Sequence, residues 1–141
     1  MKELYTADTW PETRWPQFSY DEMKCSFSGL CYIDPDMMDN LQDMRIEYGK
    51  GMRISSGYRH NTHPIEANKD VPGSHFTGKA VDVLCSGAEA LYIVQLAMDF
   101  MFEGIGVKQH GNYPGRFIHI DSIGPEDNFH APRPVLFSYP A

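Results

Sequence analysis

The chain has 141 residues, of which 42% are hydrophobic and 22% are charged. This length and composition are typical of one globular domain, and they exclude a disordered, collagen-like or coiled-coil protein. The 19 acidic residues outnumber the 12 basic residues, so the net charge is −7. Because an acidic domain is a poor electrostatic partner for nucleic acid and for anionic membranes, we expect neither partner. We expect a monomer with a single domain over residues 1–141.

The sequence contains no clear signal for export or membrane insertion. No stretch approaches the roughly 18 consecutive apolar residues that are needed to cross a bilayer. The N-terminal residues lack the apolar run of a secretory signal, so we expect no signal peptide. Cys25, Cys31 and Cys85 are too few and too irregularly spaced to indicate a disulfide framework. Pairing of Cys25 with Cys31 stays open.

The N-terminal part of the chain is rich in aromatic residues and proline. Residues 1–17 contain two Trp-Pro pairs and predict an irregular aromatic segment, and Ser19 is placed to cap a short helical turn. A longer helix is predicted next, because Asp34 suits the N-cap and Pro35 suits the first helical position. Its apolar residues recur on one face before Gly49 and Gly51 end it, at Met38, Leu41, Met44 and Tyr48.

Two strands enclose a long polar stretch in the middle of the chain. The residue pattern predicts strands at 52–55 and 79–84. Residues 56–78 between them are mostly polar and contain three histidines. A loop of this length inside a compact domain is usually functional, so we expect part of the functional site there.

One more helix and two more strands follow. Ser86 and Glu89 have the spacing of a capping box, which predicts a helix over about 87–102. Strands are predicted at 105–107 and 117–121. Strands mixed with helices and joined by short links favour an α+β domain, with a small and mainly antiparallel sheet flanked by helices.

Three side chains in these elements could form a metal site. His75 lies in the polar stretch and Asp82 follows it on the next strand. Alternation along strand 117–121 places His119 and Asp121 on the face opposite the isoleucines. Two imidazoles and one carboxylate suit Zn²⁺ and leave a fourth position open for water. From spacing alone, unrelated surface and core histidines stay an alternative.

The order of the motifs carries a family resemblance. S-G-Y-R at 56–59 comes before S-H-x-x-G-x-A-x-D at 74–82, and G-I-G-V at 104–107 comes before F-I-H-I-D at 117–121. This order resembles the zinc D-Ala-D-Ala carboxypeptidase family, in its small single-domain branch common in bacteriophages. The resemblance runs from about Phe18 to the C-terminus. It implies the fold shared with the hedgehog signalling domain, an α+β sheet with a zinc cleft.

The resemblance also implies roles for individual residues. His75, Asp82 and His119 are implied as the ligands of one zinc ion. Arg59 resembles the family arginine that enters the cleft, where a guanidinium can bind a carboxylate or stabilise an oxyanion. An exposed loop arginine is the alternative. Ser74 either contacts substrate or caps the turn.

The general base of the family does not carry over. The family places a carboxylate three residues before the last histidine, or a histidine two before it, and these positions are Arg116 and Phe117. Asp121 is the nearest substitute, either as the base or as a group that orients a ligand. His110 is the other candidate for the base. A further expectation is that Tyr113 donates a hydrogen bond to an oxyanion.

Two other interpretations of these residues compete with a catalytic zinc site. His119, Asp121 and His130 superficially match the ligand triad of non-haem iron oxygenases, but that hypothesis leaves His75 and Asp82 unexplained. His60, His63 and His130 are otherwise interpreted as polar loop residues. A zinc domain of the same fold that binds without cutting is the stronger alternative.

The resemblance implies a zinc-dependent peptidase that acts on peptidoglycan peptides, as a carboxypeptidase or an endopeptidase. The absence of an export signal and of a wall-binding module fits a phage endolysin. Such an enzyme stays in the host cytoplasm before lysis and then acts on the cell wall.

Overall fold

The computed structural model describes residues 1–127, 129 and 131–141. Its strands are β1 (Glu3–Tyr5), β2 (Cys31–Ile33), β3 (Arg53–Ser56), β4 (Ala80–Leu84), β5 (Gly104–Lys108), β6 (Phe117–Asp121) and β7 (Val135–Ser138). Its α-helices are α1 (Tyr20–Met23), α2 (Pro35–Tyr48), α3 (Pro64–Ala67) and α4 (Gly87–Asp99). Short 3-10 helices lie at Ser74–Thr77, Tyr113–Gly115 and Pro125–Asp127.

The strands form two sheets. Five strands make the main sheet in the order β3-β4-β6-β5-β7, and β1 and β2 form a separate antiparallel pair. All neighbours in the main sheet are antiparallel except β5 and β7, which run parallel. The expected α+β fold with a mostly antiparallel sheet flanked by helices is therefore confirmed.

One face of the main sheet forms the hydrophobic core with α2 and α4. Five inward residues of the central strands are at most 6% exposed, and burying each such aliphatic side chain contributes roughly 1.5–3 kcal/mol. These five are Val81, Val83, Ile105, Ile118 and Ile120. Because successive side chains alternate between faces, Asp82, His119 and Asp121 project to the other side of the same strands.

Two of the predicted helix starts are confirmed. Ser19 caps α1 in a full capping box with Glu22. Asp34 caps α2 by accepting a hydrogen bond of 2.9 Å from the backbone N–H of Met37. Gly49 adopts the left-handed conformation that ends α2, with φ of 77°.

The capping box predicted for α4 is wrong. Ser86 is the N-cap, but its side chain makes no capping hydrogen bond. Glu89 instead accepts hydrogen bonds from the Tyr48 hydroxyl and, at 2.6 Å, from Lys50 Nζ. The helix also ends at Asp99 rather than near residue 102, and Met101 turns the chain away with φ of 62°.

Three strands, including β2 just before α2, lie where the sequence pattern did not predict them. β1 lies inside the segment 1–17 that was expected to be irregular, although Trp10 and Trp15 in that segment do pack into the core. β7 adds an edge strand near the C-terminus. β1 and β2 are three residues long and β7 is four, too short for alternation to distinguish them from loops.

Two further features bear on the expectations above. Cys25 and Cys31 are both buried free thiols. None of the helices in the described part of the chain is long and apolar enough to span a membrane.

Candidate metal centre

The register of the main sheet brings two of the predicted ligands together. β4 and β6 pair so that Asp82 lies directly opposite His119. Side chains that face each other across an antiparallel pair have Cβ atoms about 4.5–5.5 Å apart. Although the two residues are 37 positions apart in sequence, the pairing of β4 with β6 brings their side chains into contact.

His75 reaches the same point from the 3-10 helix at Ser74–Thr77. Gly78 ends this helix with φ of 75°, in the left-handed region that favours glycine. A Cβ atom on Gly78 would lie 2.6 Å from the carbonyl oxygen of Tyr32, so no side chain fits there. The tight turn carries the chain from His75 directly into β4, which holds Asp82.

The donor atoms of these three residues converge. Nε2 of His75 lies 3.3 Å from Oδ1 of Asp82, and Nδ1 of His119 lies 3.0 Å from the same oxygen. All three residues are buried, and one ligand atom from each lies within 4.8 Å of the others. Two imidazole nitrogens and one carboxylate oxygen are a donor set that Zn²⁺ prefers, so the residues present fit the expected ion.

Each imidazole also has a hydrogen-bond partner at its far nitrogen, the ring nitrogen that points away from the other two ligands. Nδ1 of His75 lies 2.8 Å from the carbonyl oxygen of Gly57, and Nε2 of His119 lies 2.7 Å from Oδ2 of Asp121. Both partners are acceptors, so they favour a proton on the far nitrogen and leave the near nitrogen free as a ligand. This arrangement is typical of histidines that bind metal ions.

The charges in the centre are suited to a cation. Burial alone would raise the pKa of Asp82, but its contacts with the His119 and His75 imidazoles hold this pKa well below its usual range. Burial alone would lower the pKa of His119, but the carboxylates of Asp121 and Asp82 raise it. Within the described part of the chain, Asp82 forms no ion pair with a lysine or arginine. Its charge is therefore available to a metal ion.

The S-G-Y-R motif builds one side of the site. A Cβ atom on Gly57 would lie 2.6 Å from the carbonyl oxygen of Met23, so only glycine allows the two backbones to approach this closely. This approach presents the Gly57 carbonyl to His75 and buries Tyr58 in the core. Arg59 follows, and its Nη2 donates a hydrogen bond of 2.9 Å to Ser56 Oγ.

A cleft with a volume of about 400 Å³ adjoins the metal ligands. Its lining combines two of the three ligands with two cations, a buried carboxylate, a serine, a tyrosine and apolar side chains, whereas His119 lies behind it. The residues are Arg59, Ile65, Glu66, Lys69, Ser74, His75, Asp82, Phe117 and Tyr139. The structure therefore brings Arg59 and Ser74 together with the predicted metal ligands.

Asp121 does not face this cleft. Its side chain is fully buried, and Oδ1 and Oδ2 accept hydrogen bonds of 2.9 and 2.8 Å from the guanidinium of Arg133. Burial would raise the pKa of Asp121, but hydrogen bonds from His119 and Arg133 lower it. Of the two roles that the sequence left open, these contacts favour orienting His119 over acting as the base.

The other two predicted catalytic and binding residues also lie outside the cleft lining. Tyr113 is 69% exposed and stacks under Arg116, whose guanidinium carbon is 4.0 Å from the ring centroid. His110 does not line the cleft. Its Nε2 atom is buried and has no hydrogen-bond partner among the described residues.

The remaining histidines have other surroundings. His63 caps α3 by accepting a hydrogen bond of 3.1 Å from the backbone N–H of Ile65. His60 contacts the hydroxyl of Thr62. His130, which the iron hypothesis requires, lies outside the described residues. His119 converges instead with His75 and Asp82, the two residues that the iron hypothesis leaves unexplained.

Three polar residues of the cleft were not predicted, namely Glu66, Lys69 and Tyr139. Glu66 has a fully buried side chain that contacts Lys69 at 3.3 Å and lies 3.7 Å from Arg59. Its position in the polar stretch, within the H-P-I-E run at 63–66, was the available signal. Tyr139 reaches the cleft from the residue after β7, and no sequence pattern points to it.

Comparison with known proteins identifies the family. The family model described as peptidase M15 matches residues 16–121, about three quarters of the chain. The matched segment contains the S-G-Y-R motif and all three converging ligands. No curated protein and no solved structure matches the chain. The chain belongs to the peptidase M15 family, whose members are zinc-dependent peptidases related to D-Ala-D-Ala carboxypeptidases.

Proposed function

We propose that the protein is a zinc-dependent peptidase that hydrolyses peptide bonds in the stem peptides or cross-links of peptidoglycan. The observation that carries the proposal is the buried cluster of His75, Asp82 and His119 beside a cleft, in a member of the peptidase M15 family. One zinc ion in this cluster would supply Lewis-acid activation of water and of the substrate carbonyl group. The three side chains would hold that ion.

Arg59 is proposed to bind the substrate. Ser56 and Glu66 hold its guanidinium at the cleft, where it can bind a substrate carboxylate through two hydrogen bonds or stabilise an oxyanion. Lys69 adds a second cation to the same wall. Glu66 and Asp82 line the same cleft and offset these two positive charges, so the attraction of an anionic peptide would depend on the bound zinc ion as well.

Tyr139 is proposed to take the hydrogen-bonding role that the sequence suggested for Tyr113. Burial raises the pKa of Tyr139, so its hydroxyl keeps the proton and can donate it in a hydrogen bond to a substrate oxygen. Ser74 lines the same cleft and offers a second hydroxyl. Gly73, not Ser74, is the N-cap of the 3-10 helix, which favours substrate contact as the role of Ser74.

Digestion of purified peptidoglycan followed by mass spectrometry tests the proposal. The protein with zinc should release amino acids or peptides, and chelation should stop the release. The cleaved bond then distinguishes a carboxypeptidase from an endopeptidase. His75→Ala should be inactive and should lose zinc, whereas the matched control His60→Ala should keep both. If wild-type protein with a full complement of zinc leaves every muropeptide intact, the peptidase proposal fails.

A binding domain that does not cut is the second candidate. It is favoured by the lack of a carboxylate base at the family positions, which hold Arg116 and Phe117, and by the orientation of Asp121 away from the cleft. This candidate predicts that muropeptides bind to the zinc-loaded protein and are recovered uncut. Calorimetric titration with defined muropeptides measures the binding directly.

We further propose that the protein acts as a monomeric phage or prophage endolysin with no nucleic-acid or membrane partner. The resemblance of its motifs to the small branch common in bacteriophages supports this setting. Expression in a bacterial host together with a protein that opens the inner membrane should cause lysis, and His75→Ala should prevent it. Size-exclusion chromatography checks the monomer.

A further inference from the structure

We propose that Arg133 is a positioning residue for the metal ligand His119 and acts through Asp121. This inference rests on the zinc site proposed above and assigns a role to a part of the chain that the family match does not cover. The family model ends at residue 121, and Arg133 lies beyond it, just before β7.

The guanidinium of Arg133 is held on several sides. Nε and Nη2 donate to Oδ1 and Oδ2 of Asp121 at 2.9 and 2.8 Å, and Nη1 donates to the carbonyl oxygen of Pro132 at 2.9 Å. The guanidinium carbon lies 5.0 Å from the centre of the Phe129 ring. The Arg133 side chain is only 7% exposed and that of Asp121 is fully buried. A bidentate pair with so little solvent around it defines the position of both carboxylate oxygens.

The position of the carboxylate determines how His119 is presented. Oδ2 of Asp121 lies 2.7 Å from Nε2 of His119 and accepts a hydrogen bond from it. The opposite nitrogen, Nδ1, then faces Asp82 at 3.0 Å and lies in the cluster of metal ligands. Arg133, Asp121 and His119 thus form a continuous chain of hydrogen bonds that ends at the metal centre.

Two glycines of β5 leave room for this chain. Gly104 lies opposite Asp121 in the sheet, and a Cβ atom on it would lie 2.5 Å from Asp121 Oδ1 and 2.6 Å from Arg133 Nε. Gly106 lies opposite His119, and a Cβ atom on it would lie 2.5 Å from the ring of Phe137. The G-I-G-V motif therefore provides the space that the C-terminal segment fills behind the metal ligand.

Zinc affinity of purified variants tests the inference, measured by competition with a chromophoric chelator. Arg133→Gln should weaken zinc binding by about 10- to 100-fold, the usual cost of losing an outer partner of a metal ligand. With Co²⁺ in place of zinc, the visible absorption spectrum of R133Q should differ from that of the wild type. Arg14→Gln is the matched control, because Arg14 makes an equally short bidentate pair with Asp39 on the surface. R14Q should bind zinc as the wild type does.

A folded R133Q with wild-type zinc affinity and an unchanged cobalt spectrum would overturn the inference. If R133Q does not fold, the double variant Asp121→Asn with Arg133→Gln removes both buried charges together and leaves neither unpaired. That variant should bind zinc as weakly as D121N alone, because Arg133 acts only through Asp121. If the double variant binds zinc more weakly than D121N does, Arg133 also affects zinc binding without Asp121, which contradicts the proposal.

The outcomes also distinguish this inference from the proposed zinc site. If wild-type protein binds no zinc, or if His75→Ala binds it equally well, the zinc site itself is wrong. If H75A loses zinc and R133Q does not, the site stands and only the role of Arg133 is rejected.

Discussion

The aspartates on the two sides of the His119 imidazole have different charged partners, and this difference explains their different roles in the site. On one side, Asp82 lies 3.0 Å from Nδ1, lines the cleft and forms no ion pair with an arginine or lysine among the described residues. On the other side, Asp121 lies 2.7 Å from Nε2, and its charge is matched by Arg133. Both are buried aspartates in neighbouring strands, yet only Asp82 has a charge that a metal ion can neutralise.

The charged partner of each carboxylate therefore decides the role of that carboxylate, more than the distance between the carboxylate and His119 does. A buried carboxylate whose only charged partners are histidines can exchange their protons for a metal ion, which then balances its charge. A buried carboxylate that already has a bidentate arginine has no such need and serves to orient its neighbour. Substituting the two aspartates compares the two sides directly, and substituting residues in and around the cleft tests the cleft side.

The largest expected difference comes from making the same substitution on both sides. Asp82→Asn removes a metal ligand and should lower zinc affinity by more than about 100-fold, whereas Asp121→Asn should lower it by about 10- to 100-fold. Chelator competition measures both affinities. Asp70→Asn is the control, because Asp70 is an exposed residue of the polar stretch at 56–78. Equal losses at positions 82 and 121 would contradict the proposed division of roles.

Removing the guanidinium of Arg59 should slow peptide hydrolysis without changing metal binding. Arg59→Ala should lower kcat/KM for peptide hydrolysis by about 100- to 1,000-fold, because a preorganised donor to the reacting group is lost. Its zinc content should not change, since Arg59 is not a ligand. Arg53→Ala, at an exposed position of β3, should have wild-type kinetics. A loss of zinc in R59A would show that the arginine supports the metal centre instead.

Removing the Tyr139 hydroxyl should have a smaller effect. Tyr139→Phe keeps the ring in the cleft and deletes one hydrogen bond, so kcat/KM should fall by about 3- to 10-fold. Tyr113→Phe is the matched control, because the Tyr113 side chain is exposed and does not line the cleft. A larger loss in Y113F than in Y139F would mean that substrate binds nearer the 3-10 helix at Tyr113–Gly115.

The smallest effect is expected at His110. Because His110 does not line the cleft, His110→Ala should change kcat/KM by less than about twofold, as substitutions away from a site usually do. Loss of a general base would instead cost about 100- to 10,000-fold. Steady-state kinetics across pH distinguishes these outcomes, and a large loss in H110A would restore the sequence-based hypothesis that it is the base.

Much of the fold could be predicted because its signals are local. The caps at Ser19 and Asp34, the helical spacing in α2 and the alternation in β6 each depend on residues that are near in sequence. β1, β2 and β7 were not predicted because they are short and are stabilised by pairing with strands that are distant in sequence. The capping box at Ser86 was wrong because Glu89 finds tertiary partners in Tyr48 and Lys50.

The functional residues likewise divide into those that the sequence predicts and those that only the structure identifies. The sequence by itself determined the candidate ligands His75, Asp82 and His119 and the cleft arginine, because their motifs carry recognisable residue types at recognisable spacing. Only the tertiary structure decided which partner each side chain has. Asp121 is directed away from the cleft by an arginine from beyond β6, and Tyr139 enters the cleft through the parallel pairing of β7 with β5. Contacts between distant segments depend on which strands pair with each other, and the alternation within one strand does not identify its partner strand.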